Sequence, residues 1–238
     1  MNILITGGSS GLGRATVELL ANEAQHNILF TYYQQKEDAE TLTKNYDNVS
    51  ALGVDFSNTD SVNKLCVAIE EMSLDVLVNS AYSGSLISNH FHKINPNEFM
   101  ESFSHNIIPT IKVTQAAIAG FRKKRFGKII NVLTSALLGL PPIGTAIYVS
   151  NKAYLQELSK VWNKEFSKYN ITSNCISPEY MNTGFANTDD RILEQMIKEH
   201  PLNKLLTVEE VAFVIKFLIE SSQQVNGINI PINNANNS

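Results

Sequence analysis

Cysteine is scarce in this chain, with only Cys66 and Cys175 among 238 residues. They lie far apart and have no metal-type spacing, so neither a disulfide framework nor a zinc site is expected; two lone thiols suit a reducing cytoplasm. Long apolar runs are missing as well. No stretch reaches the roughly 18 residues of a membrane span, so none is expected. No charged leader with a cleavage site is expected either, since the first residues run straight into apolar Ile3-Leu-Ile5. Positive charge is not in excess either. The formal net charge is −4, which gives no general electrostatic footprint for nucleic acid. The one basic cluster, Arg122-Lys-Lys-Arg125, ends a predicted helix before Gly127, where cations complement the helix dipole. His90 and His92 have no evident third ligand, so no metal is expected.

What is present is a regular alternation. Apolar runs of strand length occur near residues 2–6, 27–32, 49–54, 75–81, 128–133, 171–177 and 227–232, with helical periodicity between them. Such alternation predicts an α/β fold: a single Rossmann-type domain over 1–238 with a doubly wound parallel sheet of about seven strands and helices on both faces. A long helix is predicted over 98–124, with Pro109 as its candidate break. Thr207-Val-Glu-Glu210 reads as a capping box opening the last helix. Residues 184–200 carry an amphipathic piece (Ile192, Leu193, Met196, Ile197) with no obvious place in a sheet-packed core. That suits a lid near 181–203, either a substrate cover or an interface patch.

Between the first strand and first helix lies Thr6-Gly7-Gly-Ser9-Ser10-Gly11-Leu12-Gly13. A glycine turn there lets backbone approach a phosphate and aims helix N-terminal N–H groups at it. Folds that prefer NAD place an acid about 20 residues further on, to bond the ribose 2′-hydroxyl. Here the count from Gly13 reaches Tyr32, and Tyr32-Tyr-Gln-Gln-Lys36 holds no acid. Lys36 and Arg14 can attract a 2′-phosphate instead, so NADP(H) is favoured over NAD(H). Asp55, at a strand's C-terminal edge, suits either an adenine amino group or an Asx turn. The small residues after the fourth strand, Asn79-Ser80-Ala81, would let a flat ring lie against backbone.

Tyr148 and Lys152 stand four residues apart at the start of a predicted helix and share a face. A cation beside a phenol favours phenolate, so the Tyr148 pKa is expected to fall from about 10 towards neutral, suiting proton transfer. Ser135, thirteen residues upstream, can return to the same point as a hydrogen-bond donor. Asn106 interrupts a helix with a residue of poor propensity, so it is either exposed or kept for a hydrogen bond.

Taken together these residues resemble the short-chain dehydrogenase/reductase superfamily over nearly the whole chain. Residues 201–212 and Asn226-Gly227 look most like its 3-oxoacyl-carrier-protein reductase branch. The resemblance implies hydride transfer between NADP(H) and a carbonyl or alcohol carbon, with Asn106, Ser135, Tyr148 and Lys152 as catalytic tetrad. In it Tyr148 is the general acid, Lys152 lowers its pKa and bonds the nicotinamide ribose, Ser135 steadies the oxygen, and Asn106 holds a water linking Lys152 to solvent. Cofactor contacts are implied for the glycine loop, Tyr32, Lys36, Asp55, Phe56, Asn79, Ser80, Ala81, Pro178 and Thr183. The implied partners are a small carbonyl or alcohol substrate, acyl-carrier-bound in the reductase branch, and further copies of the chain in a homotetramer or homodimer.

Three departures stand out. The family's Asn-Asn-Ala-Gly turn ends in Tyr82, its Pro-Gly is Pro178-Glu179, and its C-terminal Val-Asp-Gly-Gly is Ile232-Asn-Asn-Ala235. Two adjacent hydroxyls also compete for the serine role. Counting from Asn131 favours Thr134, whereas the spacing back from Tyr148 favours Ser135, which is the choice made here because it keeps the loop length. Apolar residues 136–143 with Phe185, Ile192 and Met196 suit an acyl chain or hydrophobic ketone; Asn182, Asn187 and the 82–97 loop would serve a sugar ketone. A cofactor-binding sensor without chemistry is the rival from another class, and the intact tetrad speaks against it.

Overall fold

Strand β1 (Asn2–Ile5) sits mid-sheet, and its alternating side chains divide the core. Ile3 and Ile5 face one helical layer and Leu4 the other, as the two-residue period of a strand requires. The computed structural model describes residues 1–183 and 189–235; Phe185 and Asn187 lie outside them. Around β1, the strands β2 (Asn27–Tyr32), β3 (Val49–Gly53), β4 (Val76–Asn79), β5 (Gly127–Val132), β6 (Ile171–Pro178) and β7 (Asn229–Ile232) form one sheet. Its order is β3-β2-β1-β4-β5-β6-β7, with all pairs parallel. Both faces are covered, which is why the central strands read as unbroken apolar runs.

Helices α1 (Gly11–Ala21), α2 (Lys36–Asn45) and α7 (Val208–Glu220) pack one face through Val17, Leu20, Leu42 and Ile215. Helices α3 (Thr59–Glu71), α4 (Pro96–Lys124) and α5 (Ala146–Phe166) pack the other through Leu65, Val113, Phe121 and Trp162. Strand order reverses between β1 and β4, so the loops after those strands open a crevice at the sheet's C-terminal edge, the usual ligand position in such sheets.

One expectation about helices needs correction and one holds. Pro109 does not break α4, which runs unbroken from an Asn95–Glu98 capping box with Pro96 in its first turn. Burial of Ile107, Pro109, Thr110 and Val113 on the sheet offsets the one lost backbone bond. Helix α5 starts at Ala146, so Tyr148 and Lys152 both lie inside it. Thr207 and Glu210 do cap α7 reciprocally.

The predicted amphipathic piece is α6 (Asp190–Glu199), with none of its side chains fully buried. It is tied down where it ends. His200 is buried, its Nδ1 accepts from the Leu202 N–H, and its Nε2 lies 3.3 Å from Glu179 Oε2 at the end of β6. No helix among the described residues is long and apolar enough to cross a membrane.

Candidate active site

The crevice is closed from below by Thr6. Its hydroxyl accepts the N–H groups of Ser80 and Ala81, each at 3.0 Å, and donates to Val78 O at 3.3 Å. The glycine turn above it is sterically obligatory. A Cβ on Gly13 would stand 2.0 Å from Gly7 O, and one on Gly8 would stand 2.4 Å from Phe30 Cβ. Gly7 and Gly11 have φ of 72° and 50°, in the left-handed region that favours glycine. Ser10 caps α1 without a side-chain hydrogen bond, so no capping side chain competes with an anion for the first N–H groups of that helix. Thr183 borders the same turn, 3.2 Å from where a Gly11 Cβ would be. Backbone approach, helix N-terminus and absent side chains together fit a pyrophosphate.

The other predicted cofactor residues differ in what they present. Leu12 is buried in the core and offers only backbone, and Phe56 packs against the α3 and α4 side. Ser9 Oγ donates to Gln35 Oε1 at 3.3 Å, and Pro178 ends β6. The Asn79 side chain is turned down into the sheet, donating to Asn131 Oδ1 at 2.9 Å and Thr114 Oγ1 at 3.2 Å. Asp55 forms the Asx turn, its Oδ1 accepting from Ser57 N at 2.8 Å and Ser57 Oγ at 2.7 Å. Tyr32 ends β2 half-buried, while the Lys36 side chain is 71% exposed with Glu40 3.7 Å away. Arg14 donates to Glu18 at 2.9 Å and to Asp38 at 3.3 Å. Asp38 is an acid that counting from Gly13 overlooks, because it enters the region from the first turn of α2 rather than from the end of β2.

At the catalytic end the structure corrects two readings. The hydroxyl bonded to the Tyr148 phenol is that of Thr134, and this bond works to lower the phenol's pKa. Thr134 is still extended (φ −157°, ψ 145°), and its Oγ1 accepts from Ala136 N at 3.3 Å, which leaves its own proton to be donated. Ser135 comes one residue later and opens a 3-10 turn, Ser135–Leu137. Thr134 thus still belongs to the extended run after β5, and Ser135 to the turn that leads into the loop before α5.

The second correction concerns the pair itself. Burial pushes the Tyr148 phenol up to about 12, not down, with the Thr134 bond opposing and Tyr82 reinforcing the rise. Burial likewise pushes Lys152 down to about 8. The ammonium is directed at Val132 O, 2.7 Å away, and stands over the Tyr148 ring at 5.7 Å from its centroid. Desolvation thus outweighs the mutual help of cation and phenol that the spacing suggests.

Asn106 is not exposed but kept for hydrogen bonds, one of the two readings its place in the helix allows. Its Oδ1 accepts from Ser83 N at 2.7 Å, while its Nδ2 donates to Ser83 O at 3.1 Å and Ser102 O at 3.0 Å. Both ends of the amide clamp the loop after β4, which is why a poor helix former is kept mid-helix. Asn151, which has no sequence signal of its own, and Tyr82 join this network. Asn151 Nδ2 donates to Ser102 Oγ at 2.9 Å and Tyr82 Oη at 3.3 Å, and the Tyr82 ring stands edge-on to Tyr148 at 5.1 Å.

A cavity of about 370 Å³ opens beside the start of α5, lined by Phe91, Pro142, Ile143, Ala146 and Val149. Helical geometry turns Val149 and Ser150 away from Tyr148, so this space adjoins the site without containing the reactive groups. His90 and His92 are exposed, their ring centroids 6.1 Å apart. The one His-and-carboxylate group of metal-ligating spacing among the described residues is Glu23, His26 and Glu220, and Lys216 already pairs with both acids.

Comparison with known proteins agrees with this arrangement. A family model for short chain dehydrogenases matches residues 1–192. The 3-oxoacyl-acyl-carrier-protein reductase FabG of Aquifex aeolicus is 30% identical over 239 residues, covering 97% of this chain and 94% of that protein. The corresponding reductase MabA of Mycobacterium avium is 28% identical over 236 residues, covering 97% and 88%. Among solved structures, ElxO with NADP bound superposes with a TM-score of 0.87 at 26% identity, covering 98% of this chain and 97% of that one. The family model spans more than half of the chain, and the chain belongs to the short chain dehydrogenase family of NAD(P)-dependent oxidoreductases.

Proposed function

We propose that the chain is an NADP(H)-dependent carbonyl reductase in which Tyr148 is the general acid. The observation that carries this reading is that Thr134, Tyr148 and Lys152 meet at the sheet edge that also holds the glycine cradle. The cofactor, when bound, supplies the hydride. Thr6–Gly13 backbone would hold its pyrophosphate, Asp55 and Phe56 its adenine end, the Asn79-Ser80-Ala81 turn and Lys152 its ribose, and Pro178 with Thr183 its carboxamide end. Thr134 donates to the oxygen on which charge develops, a donor preorganised for the transition state. Tyr148, held protonated by burial, gives that oxygen its proton. Asn106 keeps the loop after β4 in place.

The serine role therefore passes to Thr134. Thr134→Val is expected to lower kcat by about 10²-fold, as loss of one such donor does, with Ser135→Ala near wild type. Steady-state kinetics of the two variants decides, and the opposite ranking would return the role to Ser135.

NADP(H) is favoured because no acid ends β2, while Arg14 and Lys36 flank the cradle; the bound NADP of ElxO supports the same choice. The double variant Arg14→Ala/Lys36→Ala is expected to raise KM for NADPH about tenfold and to spare NADH, the loss of one to two charge-assisted hydrogen bonds. An equal loss for both cofactors would exclude these side chains from phosphate recognition.

For the substrate, the 3-oxoacyl reductase names of the relatives and the exposed apolar side chains Phe91, Leu140 and Ile143 favour a hydrophobic ketone or 3-oxoacyl thioester, acyl-carrier-bound. A lid over α6 fits that reading. A panel of 3-oxoacyl thioesters, hydrophobic ketones and sugar ketones with NADPH tests it, and turnover confined to sugars would overturn it. A homodimer or homotetramer is proposed from the exposed apolar residues on α4 (Met100, Ile108), α5 (Tyr154, Val161) and α7 (Phe213, Phe217). A cytoplasmic location completes the reading.

A further inference from the structure

Residue 82 stands where the family's turn ends in glycine, and here it is held through both its neighbouring backbone and its hydroxyl. Its backbone lies between two clamps: Thr6 Oγ1 holds Ala81 N, and Asn106 holds both the N–H and C=O of Ser83. Its hydroxyl is held at the other end by Asn151 Nδ2 at 3.3 Å and pairs with Ser102 Oγ at 3.5 Å. Between these fixed ends the ring lies with Lys152 Nζ 5.0 Å from its centroid, closer than the 5.7 Å to the Tyr148 ring. The ammonium has three donors and one protein oxygen within hydrogen-bond distance, Val132 O, among the described residues. A desolvated cation within about 6 Å of a ring face is attracted to it more strongly than an exposed one.

We infer that Tyr82 is a positioning residue for the Lys152 ammonium, its ring face holding the charge over Tyr148 in a site that offers little else to solvate it. The inference rests on the reading of Tyr148 and Lys152 as the catalytic pair, but its physical content does not depend on turnover. The titratable groups that face Lys152 are the two phenols, Tyr148 on α5 and Tyr82 on the β4 loop. β5 contributes the Val132 carbonyl, and α4 adds only neutral Ser102 and Asn106 to the network. Burial alone moves the lysine, and no charged neighbour contributes.

The test is a ¹⁵N NMR titration of Lys152 Nζ in the ligand-free protein, the resonance assigned by its loss in Lys152→Met. Tyr82→Leu removes the ring and is expected to lower the midpoint by about one pH unit. Tyr82→Phe keeps the ring, and its midpoint should stay within about 0.3 unit of wild type. Should the Leu variant not fold, pentafluorophenylalanine at position 82 keeps the shape and reverses the charge of the ring face, and should shift the midpoint in the same direction. An unmoved midpoint in the ring-deleted or fluorinated protein overturns the inference. So does a Phe variant that shifts as far as Leu, which would place the effect in the hydroxyl network. Because no carbonyl is turned over, a chain inactive on every substrate leaves this result intact.

Discussion

Tyr148→Phe is expected to lower ketone reduction by about 10²–10⁴-fold, the usual contribution of a positioned general acid, while NADPH still binds. Phe keeps the ring that packs edge-on to Tyr82 and under Lys152, so the site's shape survives and only the proton is lost. The pH dependence follows from burial. With the phenol near 12, it is protonated throughout the neutral range, so reduction should be level between about pH 6 and 7, below the range in which Lys152 loses its proton. Alcohol oxidation needs the phenolate, and its rate should climb about tenfold per pH unit over the same range. Cofactor fluorescence beside stopped-flow reduction separates binding from chemistry. Full turnover in the Phe variant would remove Tyr148 from the mechanism, and unaltered binding with no turnover in wild type would favour the sensor.

How far the sequence can be read differs between sheet and site for physical reasons. The seven strands were legible because burial on both faces writes itself as apolar runs, and the cradle because Gly7, Gly11 and Gly13 are demanded by φ or by backbone contact. The i, i+4 placement of Tyr148 and Lys152 was legible from helical geometry. What spacing could not convey is desolvation: two groups four residues apart look mutually helpful until the depth at which they sit is known. The Thr134–Ser135 choice turned on where strand becomes turn, and a strand's last extended residue leaves no periodic mark. The strand count from Asn131 points to the hydroxyl that bonds Tyr148, and the loop length points to its neighbour. Asn151 and Asp38 acquire their roles only through partners far off in the chain. Tyr82 left a trace, as a departure from a glycine, and that trace was legible as lost flexibility but not as a ring over the ammonium.

Lys152→Met should separate stability from activity in opposite directions. Lys152 is 4% exposed, and its pKa falls from 10.5 to about 8. At about 1.4 kcal/mol per pH unit, the charged form costs the fold about 3 kcal/mol at neutral pH. The sign follows from linkage. Below pH 8 folded and unfolded chains both carry the proton and the penalty stands in full; between 8 and 10.5 only the unfolded chain binds it, so stability rises with pH; above 10.5 the penalty is gone. A methionine of similar length fills the space without the charge. It leaves Val132 O without the donor now 2.7 Å away, a loss of about 1–3 kcal/mol, so the net gain at pH 7 is on the order of 1 kcal/mol. Denaturant unfolding of both proteins at pH 7 and pH 10 should show the variant ahead at pH 7 and that lead lost or reversed at pH 10. A stability difference that does not change between the two values would mean that Lys152 is not held at a depressed pKa. Turnover should fall with Tyr148 still in place, because the cation that stabilises the phenolate left by proton transfer is gone, and this is the physical reason for keeping a lysine that weakens the fold.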